Sequence, residues 1–118
     1  MDEADECLVG LSDGNLLSGL PSQPVVDEMV ETLLERPGVR IERIVTTGQA
    51  TPAGEWLDQT SDEWVMVVAG RARLSIEGEV ADRELGAGDF VFLPAHCRHR
   101  VAWIDAEKPT VWLAIHFC

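Results

Sequence analysis

Residues 62–70 read DEWVMVVAG and residues 88–100 read GDFVFLPAHCRHR, and these two stretches decide the fold. Trp64 to Ala69 is apolar at every position. Six residues are far below the ~20 that a membrane helix needs, so the run, closed by Gly70, predicts a strand buried on both faces. Asp89–Leu93 is a second short run, set between Gly86-Ala87-Gly88 and Pro94. On either side the same spacing continues, with strand-like runs at Val39–Val45, Ala72–Glu77, Val80–Leu85, His99–Ile104 and Thr110–Phe117. Short strands every eight to twelve residues, divided by Gly and Pro turns and without intervening helices, predict an all-β antiparallel sandwich or barrel.

Ahead of the strands the pattern changes. Val25, Val26, Met29, Val30, Leu33 and Leu34 recur at helical spacing, with Asp27, Glu28 and Glu31 opposite, and Pro37-Gly38 ends the run. This predicts one amphipathic helix of about three turns. Met1 to Pro24 has no sustained period and reads as an irregular arm, mobile over Met1–Asp5, with the apolar piece NLLSGL (15–20) suited to docking. The expected division is residues 1–38 as an acidic arm and helix lying on the barrel, and residues 39–118 as the barrel itself.

Charge and cysteine content exclude several functions. The 118 residues carry 21 acids and 9 Lys or Arg, a net −12. Nine of the acids, and no base, fall in residues 1–35, so the strand-rich part is nearly balanced. Nothing here could neutralise a run of phosphates, so nucleic acid and anionic membrane surfaces are not expected partners. Cys7, Cys97 and Cys118 are odd in number and far apart, which argues against a disulfide framework and a Cys-rich zinc module. The acidic start lacks the positive region of a signal peptide. A reduced, cytoplasmic protein is the expectation.

The segments around Glu63 and His99 resemble the two signature motifs of the cupin family, small jelly-roll barrels also described as double-stranded β-helices. The second family motif is G-x5-P-x-G-x2-H-x3-N. Gly88, Pro94 and His99 fit it, with His96 where Gly stands and Trp103 where Asn stands. The first is G-x5-H-x-H-x3or4-E-x6-G. Glu63 and Gly70 fit its second half, while its two histidine places fall on Leu57 and Gln59 or on Trp56 and Asp58. The wider chain is similar to a group of small bacterial single-domain cupins without an assigned reaction.

What the resemblance implies is a divalent transition metal (Fe, Mn, Ni or Zn) inside the barrel, since imidazole and carboxylate together suit these ions. Glu63 and His99 occupy ligand positions; Gln59 or Asp58 could supply an oxygen. Alternation along the last strand puts Trp112, Ala114 and His116 on one face and Val111, Leu113, Ile115 and Phe117 on the other. His116 is thereby a candidate third nitrogen. By alternation from His99, Trp103 shares the inward face; Trp103 and Trp112 are expected pocket walls, with Trp56 and His96 at the mouth. The implied function is a small-molecule site, of oxygenase or isomerase type, or a non-catalytic ligand-binding or structural cupin with a degenerate metal site. The doubly apolar strand and the apolar Val111/Leu113/Ile115/Phe117 face need cover that one helix cannot give, so a homodimer is expected.

Overall fold

The computed structural model describes residues 3–118, with side chains from Cys7 onward. A short helix α1 (Glu3–Gly10) precedes eight strands: β1 (Met29–Arg36), β2 (Val39–Thr46), β3 (Asp62–Ala69), β4 (Arg71–Ile76), β5 (Arg83–Gly86), β6 (Phe90–Leu93), β7 (His99–Ile104) and β8 (Thr110–Phe117). All pairings are antiparallel and form two sheets, β1-β2-β8-β3-β6 and β5-β4-β7. The sheets face one another across Val65, Val67, Ala72, Leu74, Leu85, Val91, Leu93, Ile104, Trp112 and Ala114, which form one buried cluster. This is the all-β antiparallel architecture that the strand spacing predicts, in the jelly-roll form that the resemblance implies.

Two expectations for the amino-terminal part are corrected. The run 25–36 is not an amphipathic helix: from Met29 it is strand β1, the edge of the larger sheet, so the sheet begins ten residues before Val39. The cause is the turn that follows. Pro37-Gly38, with Gly38 at φ +80°, makes a two-residue hairpin that lays β1 on β2 from Arg36↔Val39 to Met29↔Val45. An isolated three-turn helix is marginal in water, whereas the hairpin supplies a full ladder of backbone partners. A bulge between Thr32 and Leu34 breaks the alternation, which is why these apolar residues mimic a helical period. The arm is also not irregular throughout, since α1 occupies Glu3–Gly10; Met1 and Asp2 of the stretch expected to be mobile lie outside the described residues. Among the described residues no helix is long and apolar enough to cross a membrane.

The core obeys strand parity. On β3, Glu63, Val65 and Val67 are buried, and Trp64 and Met66 on the other face are half-buried. On β8, Trp112, Ala114 and His116 are buried together. Between β3 and β4 the chain leaves one sheet for the other at Gly70, φ +93°, where it crosses the start of β8. A Cβ on Gly70 would lie 2.5 Å from Thr110 Oγ1, 2.6 Å from Thr110 Cα and 2.8 Å from Pro109 O. Only glycine satisfies both the torsion and the approach. Gly78 has nearly the same torsion, φ +95°, with no atom near its absent Cβ. Gly78→Ala is therefore expected to cost about 1–2 kcal/mol from backbone strain alone. Gly70→Ala should cost roughly 3 kcal/mol or more, because backbone must move as well. Urea unfolding of both variants checks this; equal losses would show that the crossing is not tight.

Candidate metal and ligand site in the barrel

A cavity of about 560 Å³ opens between the sheets at one end of the barrel. Four strands send ionisable side chains to it: Arg40 and Glu42 from β2, Glu63 from β3, His99 from β7 and His116 from β8. The ladders explain the convergence. Glu63 pairs directly with His116, and cross-strand partners project from the same face. His99 is brought in by the smaller sheet, where it pairs with Ile76.

Residues 51–59 form the remaining wall by running beside β7. Leu57 N donates to His99 O at 2.7 Å and His99 N to Leu57 O at 3.1 Å. Further along, Thr51 N donates to Val101 O at 2.9 Å, and Val101 N to Thr51 Oγ1 at 3.0 Å. His96, at φ +64°, turns the chain into β7, and its N–H donates to Gln59 O at 2.8 Å. This segment carries Gln59 to the cavity.

The polar groups are unevenly satisfied. His99 Nδ1 lies 2.8 Å from Cys97 O. A carbonyl only accepts, so Nδ1–H donates, which leaves Nε2 as the nitrogen facing Glu63 and the cavity. His116 Nε2 bonds Glu42 Oε1 at 2.9 Å, and Glu42 Oε2 is 3.3 Å from Arg40 Nε. Glu63 sits between these groups, with Oε1 3.7 Å from His99 Nε2 and Oε2 3.9 Å from His116 Nε2. Its side chain is only 9% exposed, and among the described residues it makes no hydrogen bond within 3.5 Å. Gln59 Oε1 is likewise buried without a partner. Burial pushes the Glu63 carboxyl above its ordinary value, with the imidazoles of His116 and His99 opposing and Glu42 adding to the rise. Glu28, also on the cavity wall, is raised by burial and by Glu42.

The sequence-derived candidates divide accordingly. Glu63, His99, Gln59, His116 and Trp112 all line the cavity. Asp58 and His96 do not: they bond each other on the surface, Nδ1 to Oδ1 at 2.8 Å. Trp56 packs under the Arg98 guanidinium, 5.9 Å from its ring centre, away from the lining. Trp103 is 40% exposed and stacked beneath Arg73 at 5.2 Å. The reason is a bulge in β7: Val101 pairs with Leu74 but Trp103 with Arg73, so the parity counted from His99 reverses between Val101 and Trp103. Glu42 was not among the candidates. Its signal is faint, a single acid on the face of β2 shared with Ile44 and Thr46, and only the β2–β8 register connects it to His116.

The donor types here, two imidazoles, carboxylates and an orphaned amide oxygen, fit a divalent first-row transition ion. The spacing is wider than a coordination shell: among the described residues no three His, Cys, Asp or Glu side chains are placed to hold an ion as they stand.

Two facing antiparallel sheets with a polar cavity at one end define a double-stranded β-helix barrel. Residues 43–116 match the model of the cupin domain, and the chain belongs to the cupin family. It is similar, at 51% identity and TM-score 0.88, to a Ralstonia eutropha protein provisionally named a mannose-6-phosphate isomerase, covering 91% of this chain and 98% of that one. Two further structures share the fold. One is a cupin superfamily protein from Desulfitobacterium hafniense (16% identity, TM-score 0.70, 91% and 92% covered). The other is an RmlC-like cupin from Methanocaldococcus jannaschii (18%, 0.64, 77% and 80%). Among curated proteins none matches.

The raised Glu63 carboxyl has a consequence for stability. The folded chain holds this proton more tightly than the unfolded chain does. The contribution of Glu63 is therefore fully present at low pH and is lost as pH rises from the ordinary 4.5 through the raised folded value. In chelator-treated protein, the unfolding free energy of wild type relative to Glu63→Gln should decline across that window and level off above it. A difference that is flat with pH would show that Glu63 is not desolvated.

Proposed function

We propose that the barrel cavity is a small-molecule site of isomerase type in which Glu63 and His99, joined by Gln59 and His116, hold a divalent transition metal. The observation that carries the reading is Glu63 itself. It is a carboxylate nine-tenths buried at a cavity, facing two imidazole nitrogens at 3.7 and 3.9 Å, with its own hydrogen-bonding capacity unspent. Leaving such a group unmet costs on the order of a few kcal/mol, and a ligand that meets it recovers that cost. A bound divalent ion would polarise a substrate carbonyl or hydroxyl oxygen.

The remaining chemistry belongs to side chains. Glu28, raised by burial on the cavity wall and outside the metal set, is suited to take a proton from the carbon beside a carbonyl and return it to the neighbouring carbon. An aldose–ketose isomerisation needs that carbon-to-carbon transfer and a second one, from the hydroxyl oxygen to the carbonyl oxygen; with both, atoms balance and no oxidant or reductant is needed. His99 stays in its tautomer through Cys97 O, and the Glu42–His116 pair can accept or release a second proton beside Glu63. The name of the Ralstonia relative supports isomerase chemistry but not its phosphorylated substrate. The cavity is lined by Glu28, Glu42, Glu55 and Glu63 against one guanidinium, Arg40, already 3.3 Å from Glu42. A phosphate dianion would enter a negative field, so the expected substrate is an uncharged polyhydroxy carbonyl compound.

One observation favours a second reading, a ligand-binding cupin without catalysis. His116 Nε2 is already bonded to Glu42, and the two motif histidines are replaced, so the metal set is thin. Metal content of untagged protein, reconstituted in turn with Fe(II), Mn(II), Ni(II) and Zn(II), separates the two. One ion per chain is expected, retained roughly tenfold less well or worse in Glu63→Gln and His99→Ala and released in acid as protons compete for the ligand set. Wild type without stoichiometric metal, or variants that retain it fully, would favour the second reading.

A further inference from the structure

We propose that Gln49 is the positioning residue for Glu28. Its side-chain amide latches residues 25–28 to the chain just after β2 and so holds the Glu28 carboxyl at the cavity, a role that rests on Glu28 as the proton carrier. The strand ladder does not reach Glu28, because β1 begins at Met29, whose partner is Val45. Packing does not hold the preceding residues either, since Val26 is 91% and Val25 39% exposed.

Hydrogen bonds hold them instead. Val25 N donates to Thr47 Oγ1 at 3.0 Å. Gln49 Nε2 donates to Val25 O at 2.5 Å and to Val26 O at 3.2 Å, while Gln49 Oε1 accepts from Thr47 N at 2.6 Å. Carbonyls only accept and a backbone N–H only donates, so one orientation of the amide meets all three partners. Thr47 is buried and follows directly on β2, and Gly48, at φ +110°, lets the Gln49 side chain fold back onto it. The anchor is thereby fixed to the sheet, with Glu28 two residues beyond the anchored Val26.

Glu28 needs such a hold. The residue as a whole is exposed, but its carboxyl is set against the cavity wall, where burial and Glu42 both work against its charge. The other charged or titratable groups lining the cavity are Arg40 and Glu42 from β2, Glu55, Glu63 from β3, His99 from β7 and His116 from β8. Arg40, the one guanidinium among them, already lies 3.3 Å from Glu42. An ionised Glu28 on an untethered segment would turn to water. The latch on its backbone keeps the carboxyl at the cavity.

The test follows two NMR readouts in the full, chelator-treated chain, isotope-labelled at backbone amides and glutamate carboxyls. In wild type the Glu28 carboxyl, assigned with Glu28→Gln, should titrate above the ordinary 4.5. Gln49→Met keeps the shape and removes the donors. In this variant the titration should fall back toward 4.5, and the Val25 amide should exchange roughly tenfold faster or more. Thr47→Val removes the other tie and should act in the same direction, while Val65 and Val67 amides exchange as in wild type. A folded Gln49→Met with both readouts unchanged would overturn the proposal; if that variant misfolds, unchanged readouts in Thr47→Val would do so. Faster Val25 exchange with Glu28 still raised would overturn it too, leaving Gln49 a structural tie. Glyceraldehyde, a small uncharged polyhydroxy aldehyde, probes the underlying role. In heavy water, wild type loaded with Zn(II) should exchange the proton on the carbon beside the carbonyl, and Gln49→Met roughly tenfold or more slowly. No exchange by wild type would count against Glu28 as proton carrier, while the titration still decides what positions it.

Discussion

The antiparallel ladder between β3 and β8 is the constraint on which the rest of the structure depends. Its register, Glu63↔His116, Val65↔Ala114 and Val67↔Trp112 on one face, Trp64↔Ile115 and Met66↔Leu113 on the other, sorts the two most apolar strands into a core side and an outer side. A slip of one residue would exchange the faces, moving Glu63 and His116 out to the apolar surface and burying Trp64 among the core valines. The ladder therefore sets three things at once: the packed interior, the polar end of the barrel, and the character of the outer face.

Burying Glu63 is the costly step in this arrangement. The fold does not pair it fully. His99 and His116 stand near enough to favour its charge but beyond hydrogen-bond distance, and Glu42, which holds His116, works against it. Away from the cavity, where Val67, Leu85, Val91 and Ile104 pack together, no such compromise exists. The buried ionisable groups Glu63, His99 and His116 lie at the end where β2, β3, β7 and β8 meet the 51–59 segment, and there the sheets stand apart around a cavity. Stability and chemistry are thus separated along the same strands, a few residues apart.

The amino-terminal part shows how a local turn can overrule a pattern. Strand β1 is exposed along its whole length, so its apolar residues report no buried face of their own. The Pro37-Gly38 hairpin and the free edge of β2 decide its conformation instead. The arm before it is tied by backbone carbonyls to Arg43, and by Thr47 and Gln49 to the Val25 backbone, rather than by a helix face.

Much of the barrel was legible in the sequence, because period-two alternation, the six-residue apolar run and the Gly and Pro turns are local signals that survive in one dimension. The inward placement of His116 and Trp112 followed from the same alternation, and Glu63 and His99 from the motifs. What the sequence by itself could not determine is what depends on pairing between distant segments. A bulge in β7 reversed the parity that would have put Trp103 in the pocket. The bond between Asp58 and His96 drew both out of it. A two-residue turn made an edge strand of a helical period, and the β2–β8 register delivered Glu42 to a histidine more than seventy residues away. Each of these outcomes is fixed by which backbone groups meet across the sheets, and that is settled only when the strands pair.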